Sequence, residues 1–159
     1  MITYGLMLAI AAAALAAALA GVGSILGVRT AGQASAGLVS EDPDKFGKVL
    51  ILTALPGSQG IYGFLAAVII ANKIGLLSGA PIDVSVGVGF QFLMAAIPVA
   101  VGGLFSGIYQ GRVAAAGVNI IAKKPDASGK AVILSAIVET YAVLGLLITI
   151  LLVNGLALQ

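Results

Sequence analysis

Apolar residues run along this chain in four long blocks, separated by short polar stretches. The blocks extend from about Tyr4 to Val39, Val49 to Leu77, Val84 to Ile121 and Lys130 to Leu156. Each is near or above the ~20 residues that a helix needs to cross the hydrocarbon of a bilayer. The connectors Ser40–Lys48, Ser78–Asp83 and Ala122–Gly129 are short, so consecutive helices must run antiparallel. The pattern predicts an all-α membrane protein of four transmembrane helices arranged as two hairpins. Arg29 and Lys73 fall near span ends, where a long side chain can carry its charge out to the interface.

The two hairpins are copies of one another at an offset of 82 residues. Pro43, Asp44, Gly47, Lys48, Ile51, Leu52 and Ala54 match Pro125, Asp126, Gly129, Lys130, Ile133, Leu134 and Ala136; Gly63 and Leu65 match Gly145 and Leu147. The division is therefore residues 1–80 for the first hairpin and 81–159 for the second, in one membrane domain. The same register sets Gly57 opposite Glu139, so only the second copy carries a carboxylate.

Composition agrees with the block pattern. Hydrophobic residues make up 60% and charged residues 9% of the chain, and the mean hydropathy is +1.16, whereas a soluble domain carries about 25% charged residues. There is no Cys and no His, which removes thiol chemistry and most transition-metal sites. No basic run is interleaved with aromatics, so nucleic acid is not expected as a partner. No Lys or Arg precedes Arg29, so the Ala-rich start lacks the positive flank of a signal peptide and reads as a retained helix. Arg29, Lys45, Lys48, Arg112, Lys123, Lys124 and Lys130 cluster around the first and third connectors, and Lys73 lies toward the opposite face. Positive charge marks the cytoplasmic side, so both termini are expected outside, in a multi-pass protein of the cell membrane.

Small residues recur every four positions on the first and third helices: Gly23, Gly27 and Ala31, and Gly103, Gly107, Gly111 and Ala115. Such ladders let backbones approach closely and gain dispersion contacts. They are ordinary membrane packing or, in equivalent helices of a repeat, the crowded inner wall of a ring.

The chemistry centres on Glu139. It is the one acidic residue in the middle of an apolar block, where a bare carboxylate costs roughly 2.5 kcal/mol or more. On the second helix Leu55, Ser58, Gln59 and Tyr62 follow i, i+3, i+4, i+7 spacing and share one face. Pro56 and Gly57 disturb the helix there, so nearby carbonyl oxygens can turn outward. Gln110 lies at a comparable depth on the third helix. These groups offer Glu139 a set of hard oxygen donors with a single negative charge, which suits a small monovalent cation, whereas a divalent ion normally takes more carboxylates or retained waters. The additional oxygens argue for Na+ over a site for H+ alone, and Tyr62 is placed to donate to Glu139. Each group also has a plainer role: Ser58 bonding back to its own helix, Gln59 and Gln110 joining helices, Tyr62 anchoring at the interface, Thr140 back-bonding or packing.

The stretches LPGSQGIYG (Leu55–Gly63), GLFSGIYQGRVAAAG (Gly103–Gly117) and VETYA (Val138–Ala142) resemble the proteolipid K, or c-type rotor, subunit of bacterial V-type ATPases, particularly the sodium-pumping kind. The resemblance covers essentially the whole chain. It implies a homo-oligomeric rotor ring in lipid, with Na+ ligands at the Leu55 carbonyl, Ser58, Gln59, Gln110 and Glu139, and with Tyr62 bonding to Glu139. It further implies a stator membrane subunit whose arginine displaces the ion, and a central-stalk subunit docked on the cytoplasmic loops. Rotation would couple ion transport to ATP turnover elsewhere; this chain has no nucleotide motif and is not expected to be catalytic. Sodium-pumping members commonly have Thr where Ser58 stands, a change that keeps the hydroxyl.

Three other readings remain open from sequence. The first is a ring of the same family that carries protons. The second is a small four-helix cation/proton antiporter, against which the shortage of aromatic walls argues. The third is a purely structural membrane oligomer.

Overall fold

The computed structural model describes residues 3–158. Four of its helical segments are long and apolar enough to cross a membrane: Tyr4–Glu41, Pro43–Lys73, Val86–Lys123 and Pro125–Gly155. The first is helix α1 (Tyr4–Glu41). The second is interrupted, with α2 (Phe46–Ala54) and α3 (Ser58–Lys73) joined by a 3₁₀ turn at Leu55–Gly57. Helix α4 (Val86–Lys123) and helix α5 (Ser128–Gly155) form the second hairpin.

Sequence chemistry sets the ends, and sets them alike in the two copies. Thr3 caps α1 by accepting from the Leu6 amide, and Ser85 caps α4 by accepting from the Val88 amide. At the other end Asp42 and Lys124 leave the helical region (φ −143°, ψ 87° and φ −142°, ψ 80°). Each precedes a proline, whose ring disfavours helical backbone in the residue before it. The chain resumes as a 3₁₀ turn at Pro43–Lys45 and at Pro125–Ala127. This tightens the expected connectors, since Lys48 and Gly129 are already helical. The middle connector is longer than expected. Helix α3 stops at Lys73 because the chain turns at Gly75, whose φ of +73° favours glycine. Residues 74–85 then lead into α4.

Helices α1 and α4 run parallel and form the closest pair. Gly5 lies against Ser85 and Gly89, Gly23 against Gly103 and Leu104, and Gly27 against Gly107. A Cβ on Gly23, Gly27, Gly107 or Gly111 would overlap the facing backbone, so the two ladders read from sequence are the contact itself. Helices α3 and α5 pack antiparallel on the outside of this pair. Gly63 meets Ala16 and Ala20, and its repeat mate Gly145 meets Pro98.

Pro98 lacks an N–H for the ladder inside α4, and next to it the Val99 amide donates to Thr149 Oγ1 of α5 at 3.2 Å. At the far end Lys73 Nζ donates to the Asn154 carbonyl at 3.0 Å, tying α3 to α5. The buried apolar side chains form two clusters. One is built around Leu6, Phe92, Ile70 and Val153, the other around Leu38, Leu52, Val118 and Ile121. A layer of buried polar side chains separates them.

Candidate ion-binding site

The polar layer is assembled from the middles of α1, α4 and α5 and the first turns of α3. At the interruption Leu55–Gly57 the Leu55 carbonyl accepts the Ser58 amide in the 3₁₀ turn, and side chains bond to the same turn. Ser58 Oγ donates to the Leu55 carbonyl at 2.9 Å and lies 3.4 Å from Gln59 Oε1. The plain role foreseen for Ser58, a bond back to its own helix, is therefore present. Gln59 is fully buried and crosses to α4, where its Nε2 donates to Gln110 Oε1 at 2.6 Å and to Ser106 Oγ at 3.1 Å. Gln110, also fully buried, donates from Nε2 to the Ser135 carbonyl at 3.2 Å and to Glu139 Oε2 at 3.4 Å. Tyr62 Oη donates to Glu139 Oε1 at 2.5 Å.

Gln59, Gln110, Glu139 and Tyr62 thus form one hydrogen-bonded chain across α3, α4 and α5, and Ser58, whose single proton goes to the Leu55 carbonyl, lies beside it at Gln59 Oε1. Glu139 receives two donors, one on each oxygen, and these hold the carboxylate against the interior. It is not sealed in: an open groove lined by Ala136, Glu139, Thr140, Val143 and Leu144 reaches it from the outer face of α5. The flanks of that face are apolar and exposed, with Ile133, Ile137, Leu144 and Leu151 pointing away from the bundle. Thr140 lines that groove, and its hydroxyl bonds back to the Ile137 carbonyl at 2.7 Å.

The donor set is hard. Carbonyl, hydroxyl and carboxamide groups share one layer with a single carboxylate, which itself is bonded by the Tyr62 hydroxyl and the Gln110 amide nitrogen. No group of three or more His, Cys, Asp or Glu side chains suited to a metal occurs among the described residues. One negative charge among neutral oxygens matches a monovalent cation or a proton better than a divalent ion. The orientation of Gln110 adds a detail absent from the sequence. Its amide nitrogen faces Glu139 and the Ser135 carbonyl, and its oxygen faces Gln59.

Three serines were not singled out by the sequence reading. Ser106 stands between Gln59 and the Val138 carbonyl, donating to the latter at 2.9 Å. Ser24 stands on α1 against the interrupted turn, donating to the Gly57 carbonyl at 3.1 Å and accepting from the Gly60 amide at 2.7 Å. Ser135, one turn before Glu139, is fully buried, and its hydroxyl has no hydrogen-bond partner. The signal for the first two was available: Ser24 and Ser106 occupy the same position in the two copies of the repeat.

Comparison with known proteins matches each copy separately. The family model for the ATP synthase C subunit covers residues 11–70 and again residues 93–152. The chain is 49% identical over 149 residues to the V-type sodium ATPase subunit K of Enterococcus hirae, covering 94% of this chain and 92% of that one. It is 39% identical over 150 residues to the A-type ATP synthase subunit K of Methanocaldococcus jannaschii, which covers 94% of this chain and 63% of the relative. Over 149 residues it is 27% identical to the 16 kDa proteolipid of the human V-type proton ATPase, covering 94% of this chain and 92% of that one. Because one family model accounts for both hairpins and the likeness runs nearly end to end, the chain belongs to the ATP synthase C subunit family, as a proteolipid of the V/A-type ATPases that translocates ions and is not catalytic on its own.

Proposed function

We propose that this subunit binds and carries Na+ at Glu139, with the Leu55 carbonyl, Ser58, Gln59 and Gln110 as the neutral oxygen ligands and Tyr62 holding the carboxylate. The observation behind this reading is the continuity of the polar chain. A proton carrier needs an acid and a desolvating pocket. Here the acid ends a chain of oxygen-bearing groups from three helices, and a sodium-ATPase relative shares nearly half of the aligned residues. The first hairpin, residues 1–80, supplies most of the neutral ligands, and the second, residues 81–159, supplies the charge.

The mechanism is electrostatic. With Na+ bound, Glu139 is neutralised and the loaded site can face lipid through the open groove beside it. Without the ion the carboxylate carries a large desolvation penalty and stays where a polar partner meets it. An arginine of a stator subunit in the membrane is the partner that would displace the ion. Identical copies form a ring through the apolar flanks, and a central-stalk subunit docks on the loops around Pro43–Lys45 and Pro125–Ala127. These loops face the cytoplasm, and both termini lie outside the cell membrane.

The test is binding of sodium-22 to the purified oligomer across pH, with and without Glu139→Gln. Saturable binding in the parent that weakens as pH falls, and its loss in the variant, is the expected result. The sign follows from competition: protonation of Glu139 removes the charge that holds the ion. A parent that binds no sodium at any pH would leave H+ as the cargo. One observation favours that second reading: Gln110 directs its nitrogen, not its oxygen, at Glu139, so both groups bonded to the carboxylate are donors. A proton carrier would show carbodiimide labelling of Glu139 that sodium does not slow.

A further inference from the structure

We infer that Ser106 and Ser24, the repeat-related serines of the two inner helices, are positioning residues for the cation site, acting through Gln59 and through the interrupted turn. This rests on the sodium reading above and extends it to residues that do not contact the ion.

Ser106 is oriented by a group that can only accept. The Val138 carbonyl has no proton, so the Ser106 hydroxyl must donate to it, at 2.9 Å. That leaves Ser106 Oγ an acceptor toward Gln59, which must present its NH₂, at 3.1 Å. The Ser135 carbonyl imposes the same logic on Gln110. It takes the amide nitrogen at 3.2 Å, so Gln110 Oε1 is turned toward Gln59 and also demands its NH₂, at 2.6 Å. Gln59 is thus oriented twice, through the Ser106 hydroxyl and through Gln110 Oε1; for Gln110 to serve as an oxygen ligand its amide must turn over toward Glu139, and Ser106 is then the contact that still holds Gln59. The result is that Gln59 turns its oxygen toward Ser58 and the Leu55 carbonyl, on the ligand side. Reversed, the amide would present N–H groups where a cation needs an electron pair.

Ser24 performs the matching task on the backbone. Its hydroxyl reaches both sides of the Leu55–Gly57 turn, donating to the Gly57 carbonyl and accepting from the Gly60 amide. It thereby ties both flanks of the turn together and holds the segment that presents the Leu55 carbonyl and Ser58. Gly60 admits it: a Cβ there would come within 3.2 Å of Ser24 Oγ. Both serines are nine-tenths or more buried, so water does not replace them.

The experiment uses the intact ring, with sodium-22 binding and sodium protection of Glu139 from dicyclohexylcarbodiimide as readouts. Ser106→Ala and Ser24→Ala should each assemble and each weaken sodium binding by about tenfold, the scale of one buried hydrogen bond. Ser106→Thr, which restores the hydroxyl, should return binding to within about threefold of the parent. Thr30→Ala, at an exposed hydroxyl bonded to its own helix, should leave binding unchanged. Parent-like sodium protection in both alanine variants overturns the positioning role alone. So does a Ser106→Thr variant as weak as Ser106→Ala, because the loss would then come from packing. If Ser106→Ala does not assemble, parent-like sodium protection in Ser24→Ala, or a Ser106→Thr ring that binds sodium about tenfold more weakly than the parent, overturns the positioning role. A parent ring whose labelling sodium does not slow overturns the sodium reading instead, and the positioning role with it.

Discussion

At the scale of single residues, the consequential fact is that one carboxylate in the apolar body of the chain is held by two donors. Glu139→Gln removes the charge and keeps the shape, so ion transport should be abolished while assembly is retained. Flux into proteoliposomes, set against the mass of the detergent-solubilised oligomer, checks both halves of that statement. Tyr62→Phe deletes one of the two bonds to the carboxylate and little else. Hydrogen bonds to charged groups contribute about 1.5–3 kcal/mol, so sodium affinity should fall roughly tenfold to a hundredfold. Unchanged affinity in titrations with sodium-22 would show that Tyr62 acts only in the ion-free state. Glu139, Tyr62, Gln59 and Gln110 were all legible in the sequence, because polar residues in apolar blocks stand out against their neighbours. Their bonding pattern was not, since which end of each amide faces the carboxylate depends on carbonyls of another helix.

At the scale of helices, close approach and relief of breaks govern. Gly107 of α4 sits on the backbone of Gly23 in α1. Gly107→Val should therefore lower the thermal stability of the detergent-solubilised protein, by about 1–3 kcal/mol or more as overpacking does. Gly129→Ala meets open space and should not. A second break lies at Pro98. Thr149 is buried and accepts the Val99 amide there. Thr149→Val conserves shape and removes that bond, at a cost of about 0.5–1.5 kcal/mol, while Thr149→Ser should stay close to the parent in the same melt. The glycine ladders were visible as a spacing, and the structure pairs them with each other. Thr149 carried no such signal, because a lone Thr in an apolar helix looks like any back-bonded hydroxyl until its neighbour across the interface is known.

At the scale of the whole molecule, the duplication is the organising fact. Helix boundaries repeat from one hairpin to the other, and the inner pair α1 and α4 carries the outer helices α3 and α5. Most of the large apolar side chains on α5 face outward, so a neighbour or lipid must cover them. The orientation proposed from charge is open to a direct check, because the chain contains no cysteine. Single cysteines at Ser40 and Ser78, both exposed, should be labelled by an impermeant maleimide from opposite sides of sealed vesicles. Ser40 should react only when the cytoplasmic face is accessible, and the reverse pattern would invert the topology.

Spans, hairpins, the repeat and the acid within an apolar block were all written in one dimension. Each follows from local rules: block length against bilayer thickness, proline at helix ends, and the cost of a charge in hydrocarbon. Other features waited on the third dimension. The early stop of α3 at Lys73 followed from the chain turning at Gly75, and the pairing of one glycine ladder with the other required both helices in place. The roles of Ser24 and Ser106 arose in the same way. Hydrogen bonds between distant segments leave no periodicity in a sequence, so a serine that positions an ion ligand and one that merely fills a helix are spelled alike until the helices meet.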